Sequence, residues 1–158
     1  MIKKFCEFIK ENWTTTTTND VKGNEQDIIK LLNIIADWDD NRDSRKMKAA
    51  FGGYKGFMIN GDMKKYSPII ARILGAVGIY ANHSVFADLK INDKFIQRHK
   101  DDIIIVDEKI DLDSSIQVSF LKNAAKNCAF LIWNTDYSFK DIKDSEHGDM
   151  FTSLFYAV

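Results

Sequence analysis

The longest apolar run, from Pro68 to Ala81, constrains this chain more than any other segment. Its fourteen residues hold a single charge, Arg72. A bilayer core needs about 20 residues to cross, so the run must be buried inside protein. It opens with the only proline of the chain, preceded by Ser67. Serine as cap and proline at the first helical position predict a helix start there. The segment is apolar nearly all round, which places the helix in the middle of a fold. Ala71, Gly75 and Gly78 give it a small-residue face.

Other helices follow from three- and four-residue spacing. Ile2, Phe5, Phe8, Ile9 and Trp13 predict a short helix over residues 2–13, ended by five threonines, Thr14 to Thr18. β-Branched residues suit an extended segment better than a helix. Ile28, Leu31, Leu32, Ile35 and Trp38 form the clearest amphipathic stripe, with Asn24 as its predicted cap. A further helix is expected from Asp43 or Ser44 to Phe51, stopped by Gly52-Gly53. Ser84 is expected to cap a helix running to about Arg98. Asp113 and Ser114 open a long one that reaches Cys128 or Ile132.

Two signals point to strands. Ile103-Ile104-Ile105-Val106 is a run of four β-branched residues. Asn60-Gly61 is a turn signal, so residues 54–60 read as a loop or a hairpin arm. The expectation is a predominantly α single domain, 1–158, with five to seven helices and a minor β-hairpin. The runner-up is α+β, with strands at 54–60, 103–106, 129–133 and 151–157.

Charge and cysteine usage narrow the function classes. The net charge of −1 divides unevenly: residues 1–26 are neutral, 27–100 carry +5 and 101–158 carry −6. Such asymmetry steers partners or pairs the two halves of a chain. Cys6 and Cys128 are too few for a disulfide framework or a four-thiolate zinc site. Both lie on apolar stripes, where a thiol behaves as a small hydrophobe. Glu7, Lys10 and Glu11 interrupt the apolar residues after Lys3-Lys4, so no secretory signal is expected. A soluble, cytoplasmic protein without membrane contact is the expectation.

Catalytic motifs are missing from the sequence. It has no Gly-x-x-x-x-Gly-Lys-Ser/Thr loop, no Gly-x-Gly-x-x-Gly and no Gly-x-Ser-x-Gly elbow. Asp144, Glu146, His147 and Asp149 lie within six residues, but their spacing matches no zinc or calcium pattern. Neither a catalytic residue, a metal nor a cofactor is therefore assigned, and the enzyme question leans towards no.

The expected function is a protein-binding module: an inhibitor, an immunity-type protein or a regulatory adaptor that occupies a partner's surface. Its contact residues would be Asp107, Glu108, Asp111, Asp141, Asp144 and Glu146, facing a basic protein. An apparent surplus of aromatics, including Trp133, Tyr137, Phe139, Phe151, Phe155 and Tyr156, supports that reading. The alternative is a nucleic-acid-binding accessory protein. It would use the basic, glycine-aromatic segment 42–65, with Arg45, Lys46, Lys48, Tyr54, Lys55, Lys64 and Lys65 meeting phosphates and bases.

Overall fold

A computed structural model of the chain describes residues 25–38 and 44–158. The expected helix at 2–13, the pentathreonine segment, Cys6 and the Asn24 cap lie outside the described residues. Two helices, α1 (Glu25–Ala36) and α2 (Ser44–Ala50), precede the first strand, β1 (Gly56–Asn60). Then come α3 (Met63–Leu74), β2 (Gly78–Tyr80), α4 (His83–Phe86), α5 (Leu89–Arg98) and β3 (Ile103–Val106). The chain continues through α6 (Ser115–Asn127), β4 (Phe130–Thr135), α7 (Phe139–Lys143), α8 (Gly148–Leu154) and β5 (Phe155–Ala157).

The five strands form one sheet in the order β2-β3-β4-β1-β5, and every pairing is parallel. This is an α/β fold, and it overturns the expected helical bundle. The minor hairpin falls with it, because β1 pairs in parallel with β4 and β5. The runner-up's four strand segments overlap β1, β3, β4 and β5. Their parallel pairing across helical connections makes the class α/β rather than α+β.

The physical reason lies in what covers the sheet. A parallel sheet is packed on both faces, so its strands read as continuous apolar runs without alternation. Ile103–Val106 and Phe130–Trp133 are such runs, and all eight side chains are buried. Phe57, Ile59, Ile103, Ile105, Phe130, Ile132 and Tyr156 face one side and pack on α1, α2 and α3. Met58, Ile104, Val106, Leu131, Trp133, Phe155 and Ala157 face the other and pack on α4 to α8. Right-handed crossovers dictate this division. The connection from β1 to β2 runs one way across the sheet, through α3. The connections from β2 through β4 return the other way, through α4, α5 and α6.

Individual helices follow local rules that the apolar spacing only partly expresses. In α1, Ile28, Leu31, Leu32 and Ile35 are the buried residues, as the stripe predicts. Helix α2 stops at the expected glycines, where Gly52 and Gly53 take φ values of 70° and 85°. Helix α3 starts earlier than expected. Asp62 caps it, accepting from the Lys65 N–H at 3.1 Å, and Pro68 lies inside the helix. The expected long helix through Ala81 instead breaks after Leu74, and Gly78 to Tyr80 become the edge strand β2. The helix expected from Ser84 to Arg98 is split in two, with Asp88 capping α5 through the Lys90 and Ile91 N–H groups.

The strand starts are tight. A Cβ on Gly56 would lie 2.1 Å from the Leu131 carbonyl oxygen, so β1 and β4 approach only because glycine stands there. Aromatic side chains close the core: Trp133, Phe151, Phe155 and Tyr156 are buried, and Tyr137 and Phe139 pack against the same cluster. The aromatic surplus among the described residues is thus interior. Among the described residues no helix is long and apolar enough to cross a membrane.

Candidate functional site

In an open α/β sheet, ligands bind outside the carboxyl ends of the strands, where neighbouring connections leave to opposite faces. Here that point lies between β1 and β4: β1 leads to α3 on one face and β4 to α7 on the other. The strand ends there are polar. β1 ends at Asn60, β3 is followed by Asp107 and Glu108, and β4 ends at Asn134 and Thr135, followed by Asp136.

Asp107 is the centre of this cluster. Its Oδ2 accepts from the Ser67 hydroxyl on α3, in a short hydrogen bond. Its Oδ1 accepts from Asn134 Nδ2 at 2.8 Å. The same Asn134 nitrogen also donates to the Met63 carbonyl at 3.1 Å. Asn134 therefore ties β3 to the first turn of α3 across the switch point. It is fully buried, and its Oδ1 finds no hydrogen-bond partner among the described residues. Asn60 Oδ1 is in the same condition, while Asn60 Nδ2 donates to the Tyr137 carbonyl at 3.2 Å. Two buried acceptors with no donor are costly, on the order of 1–3 kcal/mol each, unless something supplies a proton or a positive charge.

The N-terminus of α3 is already occupied by the chain's own carboxylates. Asp62 accepts from the Lys65 N–H, and Asp136 Oδ1 accepts from the Met63 N–H at 2.9 Å. Gly61 bends the loop with φ 102° and donates to the Thr135 carbonyl at 2.9 Å. Tyr80, at the end of β2, is held above its usual pKa by burial and then by the negative charge of Asp107. The edge thus offers carboxylates, amide oxygens and one hydroxyl, a set of acceptors suited to a cation.

The predicted site residues are distributed over both ends of the sheet. Asp107 is half-buried and bonded, while Glu108, Asp111, Asp141, Asp144 and Glu146 are exposed on the connections that follow β3 and β4. Lys64 and Lys65 stand on the first turn of α3, where Lys65 Nζ meets Glu25 at 3.3 Å. Arg45, Lys48 and Lys55 gather at the opposite, amino end, lining one cavity with Lys126. Lys46 is exposed on α2, and Tyr54 is half-buried, 5.6 Å from the Tyr156 ring. The basic segment 42–65 is therefore two separate groups and not one groove.

Among the described residues, no three His, Cys, Asp or Glu side chains converge to hold a metal on their own. That includes the Asp144–Asp149 cluster. Cys128 is fully buried, and burial pushes its thiol up to about 12, so it is inert at neutral pH. Ser67, Asn134, Asn60, Asp136 and Tyr80 were not legible as site residues. The only sequence signal was a polar residue closing each apolar run, Asp107 after Val106 and Asn134 after Trp133.

No family model matches the chain, and no curated protein or solved structure matches it.

Proposed function

We propose that the carboxyl edge of the sheet binds a divalent cation together with a phosphate-bearing ligand of the nucleotide class. One observation carries this reading: the Ser67 hydroxyl and the Asp107 carboxylate meet at the switch point under a buried Asn134 with an unpaired oxygen. A helix-borne Ser or Thr and a strand-end Asp are the pair that holds magnesium in phosphate-loop nucleotide enzymes. Magnesium takes one or two protein oxygens and completes its octahedron with phosphates and water, so an all-protein cage is not required.

The chain departs from that class in one respect. Only Gly61 and Asp62 separate β1 from α3, and Tyr66 stands directly before Ser67. No loop of free N–H groups and no glycine-lysine pair is there to cradle phosphates. Carboxylates, moreover, already accept from the Met63 and Lys65 N–H groups. The phosphate must then be bridged by the cation, and binding without turnover is the expected activity. This keeps the expectation of a binding module and puts a small ligand in place of the protein partner.

The test is a thermal-shift titration with magnesium and ADP, alone and together. A ligand at a hundred times its Kd stabilises the fold by about 2.7 kcal/mol, a shift of several degrees. The combination should raise Tm, EDTA should abolish the rise, and Asp107→Asn and Ser67→Ala should remove it. No shift at millimolar magnesium and nucleotide would sink the proposal.

A further inference from the structure

The amino end of the sheet presents the opposite chemistry. A cavity of about 420 Å³ is lined by Arg45, Lys48, Ala49, Gly53, Lys55 and Lys126, four of them cations and none an acid. Two helices end there, α2 with Lys48 and Ala49, and α6 with Lys126.

A bland explanation has to be weighed first. Helix C-termini attract cations, and Lys48 does cap one: its Nζ donates to the Lys126 carbonyl at 3.0 Å. Each C-terminus, however, carries only about half a negative charge. Two of them offset about one of the four cations, so the lining keeps a large positive excess. Lys48 is also 7% exposed, a lysine buried beside other cations. Burial, and then the charge of Lys55, lowers its pKa. A charged group held in that position lacks a counter-charge, and an anion in the cavity would supply it.

The backbone holds Lys55 in place. Its N–H donates to the Leu154 carbonyl at 2.7 Å, and its carbonyl accepts from the Leu131 N–H at 3.2 Å. Gly53 leaves the mouth open, because a Cβ there would meet nothing within 4 Å.

We infer that this cavity is a binding site for a phosphate group, with Lys48, Lys55 and Lys126 as its principal cations. It is independent of the carboxyl-edge site, lying at the other end of the strands, and it needs no divalent ion.

Inorganic pyrophosphate and a single-stranded 12-mer oligonucleotide are the two probes, both titrated in EDTA at low salt. Either of them binding, and weakening at least tenfold in the Lys55→Gln/Lys126→Gln double variant, supports the site. Pyrophosphate binding identifies a small phosphate ligand. Binding of the oligonucleotide alone, with a linear fall of log affinity against log salt, identifies a nucleic-acid backbone. The double variant changes exposed or half-exposed side chains, so its Tm should match that of the parent chain. No binding of either probe, or binding unchanged by the double variant, overturns the inference. Using EDTA keeps this outcome separate from success or failure at the magnesium site.

Discussion

The two ends of one sheet differ in how they handle charge. At the carboxyl end, acids are tied into a network: Asp107 holds Ser67 and Asn134, and Asp62 and Asp136 hold the first N–H groups of α3. At the amino end, cations gather around an open cavity, and Lys48 caps a helix. Parallel strands make the separation automatic, since every strand starts at one end and finishes at the other. The acidic end is organised by side-chain hydrogen bonds, the basic end by close backbone approach and buried apolar groups.

Breaking the network should show this difference most strongly. Asn134→Ala removes the donor to both Asp107 and the Met63 carbonyl. Leaving two such groups unpaired should cost roughly 2–4 kcal/mol, read as a lower urea midpoint at constant slope. A loss under 1 kcal/mol would mean that the network contributes little to stability.

Gly56→Ala tests the other end. The new methyl would press on the Leu131 carbonyl, which belongs to the β1–β4 ladder and cannot rotate away. Overpacking of this kind costs about 1–3 kcal/mol. An alanine variant as stable as the parent would show that the strand starts are not tightly fixed.

The smallest effect separates the ends by pH. Cys128, which follows α6 at the amino end, has its thiol raised from 9.0 to about 12. A raised folded pKa contributes stability that is complete below pH 9 and is lost as pH rises through 12. Cys128→Ala should cost about 1 kcal/mol at pH 7 for the cavity it leaves, and should flatten the stability loss between pH 9 and 12. An unchanged alkaline slope would assign that loss to other groups, Tyr156 first, whose phenol burial also raises to about 12.

Local chemistry explains what the sequence made legible. The α1 stripe, the Gly52-Gly53 stop and the Ile103–Val106 strand each depend on neighbours within a few residues. β1 does not, because its partners begin at Leu131 and Phe155, far along the chain. The β2 segment was hidden in an apolar run that also suited a helix, and only Gly75 and Gly78 hinted at the break. Pro68 looked like a first-turn proline, yet Asp62 supplied the better cap five residues upstream of Ser67. For the site, Asp107 was visible as an acidic residue, but its role was not. Ser67 and Asn134 reach it only through the β3–β4 register and the crossover of α3.

The pairing of β1 also sets a timetable. Phe57-Met58-Ile59 leave the ribosome long before residues 130–135 and 155–157, which flank them in the finished sheet. Synthesis runs at about 5–20 residues per second, so the strand waits several seconds for its first neighbour. During that interval it has two open edges and apolar side chains on both faces, the condition in which strands join the wrong chain. Helix α3, made directly after it, is the one shield available in that time. Yield at high expression should therefore depend on how soon α3 settles against β1.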